Sequence, residues 1–161
     1  MTLKERLTED LKEAMRARDE WRKTTLRLLL DAIHKAEIPS EKEAKAGEGP
    51  PRKELSEDDI LQVVASEAKR RRDAITEFGK AKREDLVAQE EAELDIIMGY
   101  LPAQLSGEEI EVLAREVIQE LGASDISQMG RVMGALMPRV KGRALGGVVS
   151  RVVREILSGG D

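Results

Sequence analysis

Residues 129–145 read Met129-Gly130-Arg131-Val132-Met133-Gly134-Ala135-Leu136-Met137-Pro138-Arg139-Val140-Lys141-Gly142-Arg143-Ala144-Leu145. Apolar side chains recur in the first half at helical spacing, and a proline and a short basic turn follow them. The spacing predicts a helix that Pro138 ends, because proline lacks the backbone N–H that would continue it. A second apolar period over Val148 to Leu157 predicts a final helix, which begins after a flexible turn that runs to Gly147.

The composition of the rest of the chain favours helices packed on helices. The 161 residues include one Trp, one Tyr and one Phe, and no Cys. With so few aromatic residues, Leu, Ile, Val, Ala and Met must fill the core, which is typical of all-α proteins. The absence of Cys excludes disulfides, thiolate zinc sites and thiol nucleophiles. The expected fold class is therefore all-α.

The segment before residues 129–145 predicts one more helix in the C-terminal part of the chain. Ser106 and Glu109 form a capping box, an apolar stripe follows, and Gly122 is a suitable residue for the helix end. Ser124 or Ser127 is expected to cap the helix that comes next. The pattern breaks at Leu101-Pro102, because the residue before a proline is pushed out of helical geometry. We therefore predict a smaller three-helix tail domain over residues 101–161.

The N-terminal part predicts a four-helix, bundle-like domain over residues 1–100. Capping signals at Thr2, Asp19 and Ser56 begin three helices, and Gly79 is expected to end the third of these. A fourth helix follows over the acidic stretch that leads to Met98. Residues from about 39 to 54 are rich in Pro, Gly, Ser, Glu and Lys, so we expect a mobile loop there.

Charge is unevenly distributed along the chain. From Gly122 to the end there are six basic and three acidic residues, a net of +3. The remainder has 21 basic against 29 acidic residues, a net of −8. This asymmetry suggests that the C-terminal part faces an anionic partner. The alternative is that bases near helix C-termini complement the helix dipole.

No set of residues points to catalysis, to a metal or to a cofactor. The single histidine, His34, is expected to be a surface or packing residue, and no nucleophile–base pair is present. The basic run Lys69 to Arg72 has acids nearby at helical spacing, so a solvated, salt-bridged face is favoured over a phosphate clamp. The acidic run Glu90 to Asp95 is interpreted as solvent-facing rather than as a carboxylate metal site.

Gly130 and Gly134 are four residues apart and therefore share one face of the predicted helix. Glycine inside a helix costs up to ~1 kcal/mol relative to alanine, so two on one face suggest that another group approaches the backbone closely. Two interpretations stay open. The approaching group is either a neighbouring helix or an extended ligand such as a nucleic-acid backbone.

The sequence predicts neither a secretory signal peptide nor a membrane-spanning helix. The first residues carry charges every few positions without an apolar region, and no uncharged apolar run is long enough to cross a bilayer. We therefore expect a cytoplasmic protein that does not bind membranes.

Several short motifs are spread over the whole chain. Those in the first domain are Leu3-Lys4-Glu5-Arg6-Leu7, Leu26-Arg27-Leu28-Leu29, Arg71-Arg72-Asp73, Arg83-Glu84-Asp85-Leu86 and Tyr100-Leu101-Pro102-Ala103-Gln104-Leu105-Ser106. Those in the tail are Met129-Gly130-Arg131-Val132-Met133-Gly134, Lys141-Gly142-Arg143-Ala144 and Val148-Val149. Together they resemble the YqeY family, and the tail is similar to the tail domain of the GatB subunit of tRNA-dependent amidotransferases.

The resemblance implies a non-catalytic accessory module that binds tRNA or another structured RNA and assists tRNA-dependent amidation, a glutamine-dependent carbon–nitrogen ligation. In the amidotransferase the catalytic machinery lies in other domains, so no enzyme activity is expected of this chain alone. The residues predicted to contact nucleic acid, as phosphate contacts rather than base readers, are Arg131, Lys141, Gly142, Arg143 and Arg151. Protein partners would be an amidotransferase or an aminoacyl-tRNA synthetase, and DNA is not expected. The alternative is a helical protein-interaction adaptor without nucleic-acid binding.

Overall fold

Every regular element in the structure, a computed structural model that describes residues 1–39 and 52–159, is helical. The all-α class predicted from the sequence is therefore confirmed. The α-helices in these ranges are α1 (Leu3–Arg16), α2 (Glu20–Glu37), α3 (Glu57–Lys80), α4 (Glu84–Met98), α5 (Gly107–Leu121), α6 (Met129–Val140) and α7 (Gly146–Leu157). One turn of 3-10 helix, Ile126–Gln128, precedes α6.

The chain divides into two compact units, Met1–Leu101 and Pro102–Asp161. In the described residues the first unit contains the four helices α1 to α4, and the second contains the three helices α5 to α7. Each unit has its own apolar core, built around Leu26 and Ile97 in the first and around Leu136 and Val153 in the second. Most of the loop predicted to be mobile falls on residues 40–51, which lie outside the described residues.

The predicted capping residues begin the helices as expected. Thr2, Ser56 and Ser106 each accept a hydrogen bond from the backbone N–H three residues later, at 3.1 Å in all three cases. The carboxylate of the residue at that third position accepts a hydrogen bond from the backbone N–H of each cap residue, which completes the capping box. Asp19 likewise accepts from the N–H of Arg22 at 3.1 Å and begins α2.

Several local predictions about helix starts and ends are wrong. Neither Ser124 nor Ser127 caps the next helix; instead the carboxylate of Asp125 accepts from the backbone N–H of Ser127 at 2.8 Å and from its hydroxyl. These hydrogen bonds lower the pKa of Asp125 below its usual value. Asp125 was overlooked because it begins a short 3-10 turn, not α6 itself.

Pro138 does not end α6, which continues to Val140. The side chain of Val140 is fully buried, so the core of the second unit holds this last turn in place. The glycines assigned to the flexible turn, Gly146 and Gly147, form the first residues of α7. Similarly, α3 runs one residue past Gly79. In α6 the burial of Val140 outweighs the local tendency of Pro138 to stop the helix.

The basic run on α3 is only partly a solvated face. Lys69 pairs with Asp73 at 2.7 Å, and Arg70 pairs with Glu67 at 3.4 Å, as the sequence predicts. Arg71, in contrast, is directed into the packing of α3 against α4, with its side chain only 14% exposed.

Arg71 lies among three carboxylates. Its Nε is 2.9 Å from Glu93 and 3.5 Å from Glu90, and one of its terminal nitrogens is 3.7 Å from Glu67. The side chain of Glu93 is 7% exposed, so the prediction that this acidic run faces solvent is wrong for Glu93. Burial and the neighbouring Glu93 raise the pKa of Glu90, against the opposing effect of Arg71.

Tyr100 ties the end of the first unit to its first helix. Its hydroxyl donates to the carboxylate of Asp10 at 2.5 Å, and the guanidinium of Arg6 lies 4.7 Å from the centre of its ring. Burial, followed by the hydrogen bond to Asp10, raises the pKa of Tyr100 to about 12. The tyrosine therefore stays protonated and keeps donating throughout the physiological range.

Candidate nucleic-acid interface

The basic turn between α6 and α7 is a tight and partly buried structure. Gly142 has φ of +77°, a backbone conformation that residues with a side chain rarely adopt. The carbonyl oxygen of Val140 accepts hydrogen bonds from the backbone N–H of Arg143 at 2.8 Å and of Ala144 at 3.0 Å. Ala144 is buried, whereas Lys141 and Arg143 are exposed. The turn therefore buries its small residues and presents its charged ones.

The segment that enters the second unit holds this turn in place. The side-chain amide of Gln104 donates to the carbonyl oxygen of Gly142 at 2.9 Å. The backbone N–H of Leu105 donates to the carbonyl oxygen of Arg143 at 2.8 Å. Two motifs that are far apart in the sequence, around residues 104 and 142, thus meet in the structure. Sequence reasoning noted Gln104 as part of a motif but missed this role.

The same segment orients the guanidinium of Arg143. Its Nε donates to the carbonyl oxygen of Ala103 at 3.4 Å, and its terminal nitrogens have no hydrogen-bond partner among the described residues. A guanidinium with one long contact through Nε, and with no described partner at its terminal nitrogens, can bind phosphate through two parallel hydrogen bonds.

The other predicted arginines lie on the exposed sides of two helices that pack against each other, Arg131 on α6 and Arg151 on α7. Neither side chain forms a hydrogen bond or ion pair with any residue that the structure describes. Arg154, which was not predicted, is also exposed and lacks a partner within the same residues. Its spacing of three from Arg151 places both on one side of α7 and was the signal that could have identified it.

Gly130 and Gly134 lie on the exposed side of α6, next to Arg131. A Cβ atom added at either glycine would have no described heavy atom within 4 Å outside the local backbone. A neighbouring helix therefore does not explain the two glycines within the described part of the chain. The interpretation that remains from the sequence is close approach by an external ligand.

The second unit separates its charges between helices. Helix α5 carries five acidic residues and one basic residue, a net of −4. Residues 129–159, which include α6 and α7, carry six basic residues and one acidic residue, a net of +5. Arg139 is the basic residue that α5 neutralises, through Glu120 at 3.0 Å and Glu116 at 3.9 Å. Among the described residues, no ion pair joins Arg131, Arg143 or Arg151 to α5.

The described residues contain no group of three or more His, Asp and Glu side chains placed to hold a metal ion. Across residues 1–39 and 52–159, no helix has both the length and the apolar character needed to cross a membrane.

A family model described as "Yqey-like protein" matches residues 4–157 of the chain. The chain belongs to the YqeY family. This membership agrees with the resemblance found in the motifs of both units.

Three relatives of this YqeY-family chain are named "Altered inheritance of mitochondria protein 41, mitochondrial". The protein from Kluyveromyces lactis is 37% identical over 81% of the chain and 66% of its own length. The one from Pyrenophora tritici-repentis is 34% identical over 94% of the chain and 79% of its own length. The one from Saccharomyces cerevisiae is 42% identical over 57% of the chain and 44% of its own length.

The YqeY-family chain therefore spans between 44% and 79% of the length of these three relatives. Family membership and these relatives support a non-catalytic accessory protein. They contradict the cytoplasmic location expected from the sequence, because the relatives are named as mitochondrial proteins.

Proposed function

We propose that this accessory protein binds tRNA, or another structured RNA, through the exposed sides of α6 and α7 and through the basic turn between them. The observation that carries the proposal is the net charge of +5 on residues 129–159, where Arg131, Arg151 and Arg154 lack partners among the described residues. Unpaired arginines on one part of a small domain are typical of surfaces that neutralise phosphates.

The contacts are to the RNA backbone rather than to base edges. The open helix surface at Gly130 and Gly134 lets a sugar–phosphate chain come close to the backbone of α6, with Arg131 beside it. The chain has only three aromatic residues, so it lacks the stacking platforms that bind single-stranded bases. Recognition through shape and phosphate positions is the mode that these features support, and it favours folded RNA over duplex DNA.

The task we propose for this binding is to assist tRNA-dependent amidation, a glutamine-dependent carbon–nitrogen ligation. It is supported by the similarity of the tail motifs to the GatB tail domain, and above all by Lys141-Gly142-Arg143-Ala144. The catalytic partner is an amidotransferase, or an aminoacyl-tRNA synthetase that supplies the charged tRNA. The chain's own part is to hold the RNA, since no catalytic residues are assigned to it.

The direct test is binding of the full chain to purified tRNA at several salt concentrations. The double variant Arg131→Glu with Arg151→Glu is compared with Arg115→Glu. Arg115 is also an exposed arginine, but it lies on α5 and is already paired with Glu111 at 2.9 Å. We expect affinity to fall steeply with salt, and the slope of log affinity against log salt to become shallower by about 1 for each phosphate contact removed.

A second variant, Lys141→Glu with Arg143→Glu, tests the turn itself. If the turn contacts phosphate, this variant loses tRNA binding, whereas Arg115→Glu retains most of it. Unchanged affinity in both double variants would show that RNA does not bind this surface. Adding glutamine, ATP and charged tRNA to the purified chain should yield no amidated product unless an amidotransferase is supplied.

One observation favours the alternative function, a helical adaptor that binds protein and no nucleic acid. An open groove of about 470 Å³ in the second unit is lined by Leu105, Val112 and Leu113, and Val112 is 58% exposed. If tRNA fails to bind even at the lowest salt concentration, this alternative is preferred. A protein that the wild-type chain retains from lysate and that the Val112→Asp variant loses would then identify the adaptor's partner.

A further inference from the structure

The exposed side of α2 belongs to the first unit and lies outside the surface proposed to bind RNA. Within α2, Trp21, Leu28, Asp31 and Lys35 fall in an arc of about 80° when successive residues are placed 100° apart. Trp21 is 52% exposed and Leu28 39%, and Ile38, at the C-terminal end of the same helix, is 62% exposed. This side of α2 is therefore more apolar than a helix facing only solvent.

The charged residues on this side are also unusual. Asp31 and Lys35 are four residues apart, the spacing at which opposite charges on one helix commonly pair. Neither side chain forms an ion pair or hydrogen bond with any described residue. No described residue therefore neutralises either charge.

A groove runs beside these residues, between α2 and α3. It has a volume of about 540 Å³, and Leu28, Ala32 and Val63 supply its apolar lining. Asp31 and Lys35 line it on the α2 side, and the polar lining on the α3 side consists of Ser66, Glu67, Arg70 and Arg71. A groove between two helices, lined by both apolar and charged side chains, can accept a third helix.

We propose that the occupant is α2 of a second copy of this chain, packed antiparallel about a two-fold axis beside residue 33. In this register Leu28 of one copy faces Ile38 of the other, and Asp31 faces Lys35. Residue 33 lies midway between residues 28 and 38 and also midway between residues 31 and 35. A single two-fold axis at the level of residue 33 therefore brings both pairs face to face. An isologous dimer requires a surface that complements itself in this way, because each contact occurs twice.

The register also explains why a second copy is favoured over an unrelated protein. An unrelated partner has to supply its own apolar side chain and its own pair of charges at matching spacing. A second copy supplies all of them from the same helix. The inference does not depend on RNA binding, since it concerns only the first unit.

The test is sedimentation equilibrium of the full chain and of two charge variants. Asp31→Lys places only positive charge at the two positions, and Lys35→Asp places only negative charge there. We expect each variant alone to self-associate roughly tenfold more weakly than the wild type, because like charges then face each other twice. An equimolar mixture of the two variants should recover association as a heterodimer, and the double variant Asp31→Lys with Lys35→Asp should recover it as a homodimer.

Glu91→Lys is the matched control for Asp31→Lys, because it makes the same charge change at an exposed residue of α4 without a described partner. It should leave self-association unchanged, and Leu28→Asp should abolish it. Circular dichroism checks that every variant remains helical. A wild-type chain that is monomeric up to its solubility limit overturns the proposal. So does a dimer whose dissociation constant none of these substitutions on α2 alters.

Discussion

The side-chain amide of Gln104 donates a hydrogen bond to the carbonyl oxygen of Gly142, with 2.9 Å between nitrogen and oxygen. The same amide nitrogen lies 2.8 Å from the carbonyl oxygen of Pro102. One side chain therefore joins the start of the second unit to the basic turn 38 residues later. Because Arg143 follows Gly142 directly, this contact also holds the backbone that carries the predicted phosphate contact.

The first prediction concerns the backbone of this turn. Gly142→Ala should destabilise the second unit by about 1–2 kcal/mol, because a side chain at φ of +77° clashes with the following carbonyl oxygen. Thermal unfolding of the variant measures the change. The control is Gly147→Ala, at an exposed helical glycine with no described atom near the added Cβ, which should be neutral or slightly stabilising. Equal stability of both variants would contradict the role assigned to Gly142.

The helices could be predicted from the sequence because their start signals are local. At Ser106 the cap and its carboxylate partner Glu109 are three residues apart, and both hydrogen bonds of the box lie within one turn. Composition and motif likewise indicated Lys141 to Arg143 as a basic turn. The contact from Gln104 could not be predicted, because it depends on how distant segments pack and not on any local spacing.

The second prediction concerns the buried ion pair of Arg71 and Glu93, which lie 2.9 Å apart. Arg71→Met should destabilise the first unit by about 3 kcal/mol, because it leaves the carboxylate of Glu93 buried without its counter-charge. The double variant Arg71→Met with Glu93→Leu should recover most of this loss, since it buries two apolar groups instead. Urea unfolding provides the free energies.

Arg70→Met is the control for that series, because the side chain of Arg70 is 74% exposed and its pairing with Glu67 is loose at 3.4 Å. It should change the unfolding free energy by less than about 1 kcal/mol. A similar loss in both single variants would mean that Arg71 acts as an ordinary surface arginine. The sequence could not separate the two, because adjacent arginines on a helix have similar local acids and differ only in what packs opposite them.

The third prediction follows from the raised pKa of Glu90, which burial and then Glu93 shift upward. The folded state holds the Glu90 proton more tightly than the unfolded state, so this residue reduces stability as pH rises above its unfolded value of 4.5. Glu90→Gln should therefore stabilise the chain at pH 7. The gain should shrink as pH falls through the folded pKa and disappear below the unfolded one. Urea unfolding of wild type and variant across this range checks the sign, and a gain that grows toward acid pH would contradict it.

The last prediction separates stability from binding at Gly134. Alanine at this position should stabilise α6 by about 0.5–1 kcal/mol, because alanine is the better helix former and the added Cβ meets no described atom. If RNA lies against the helix backbone at this point, the same methyl group should weaken tRNA binding although no charge changes. Thermal unfolding and tRNA titration on one sample measure both effects.

Ala135→Gly is the reverse control on the same exposed side of α6. It should lower stability and leave tRNA affinity unchanged at temperatures where α6 stays folded. A Gly134→Ala variant that is more stable and binds tRNA as tightly as the wild type would show that no ligand approaches α6 closely there.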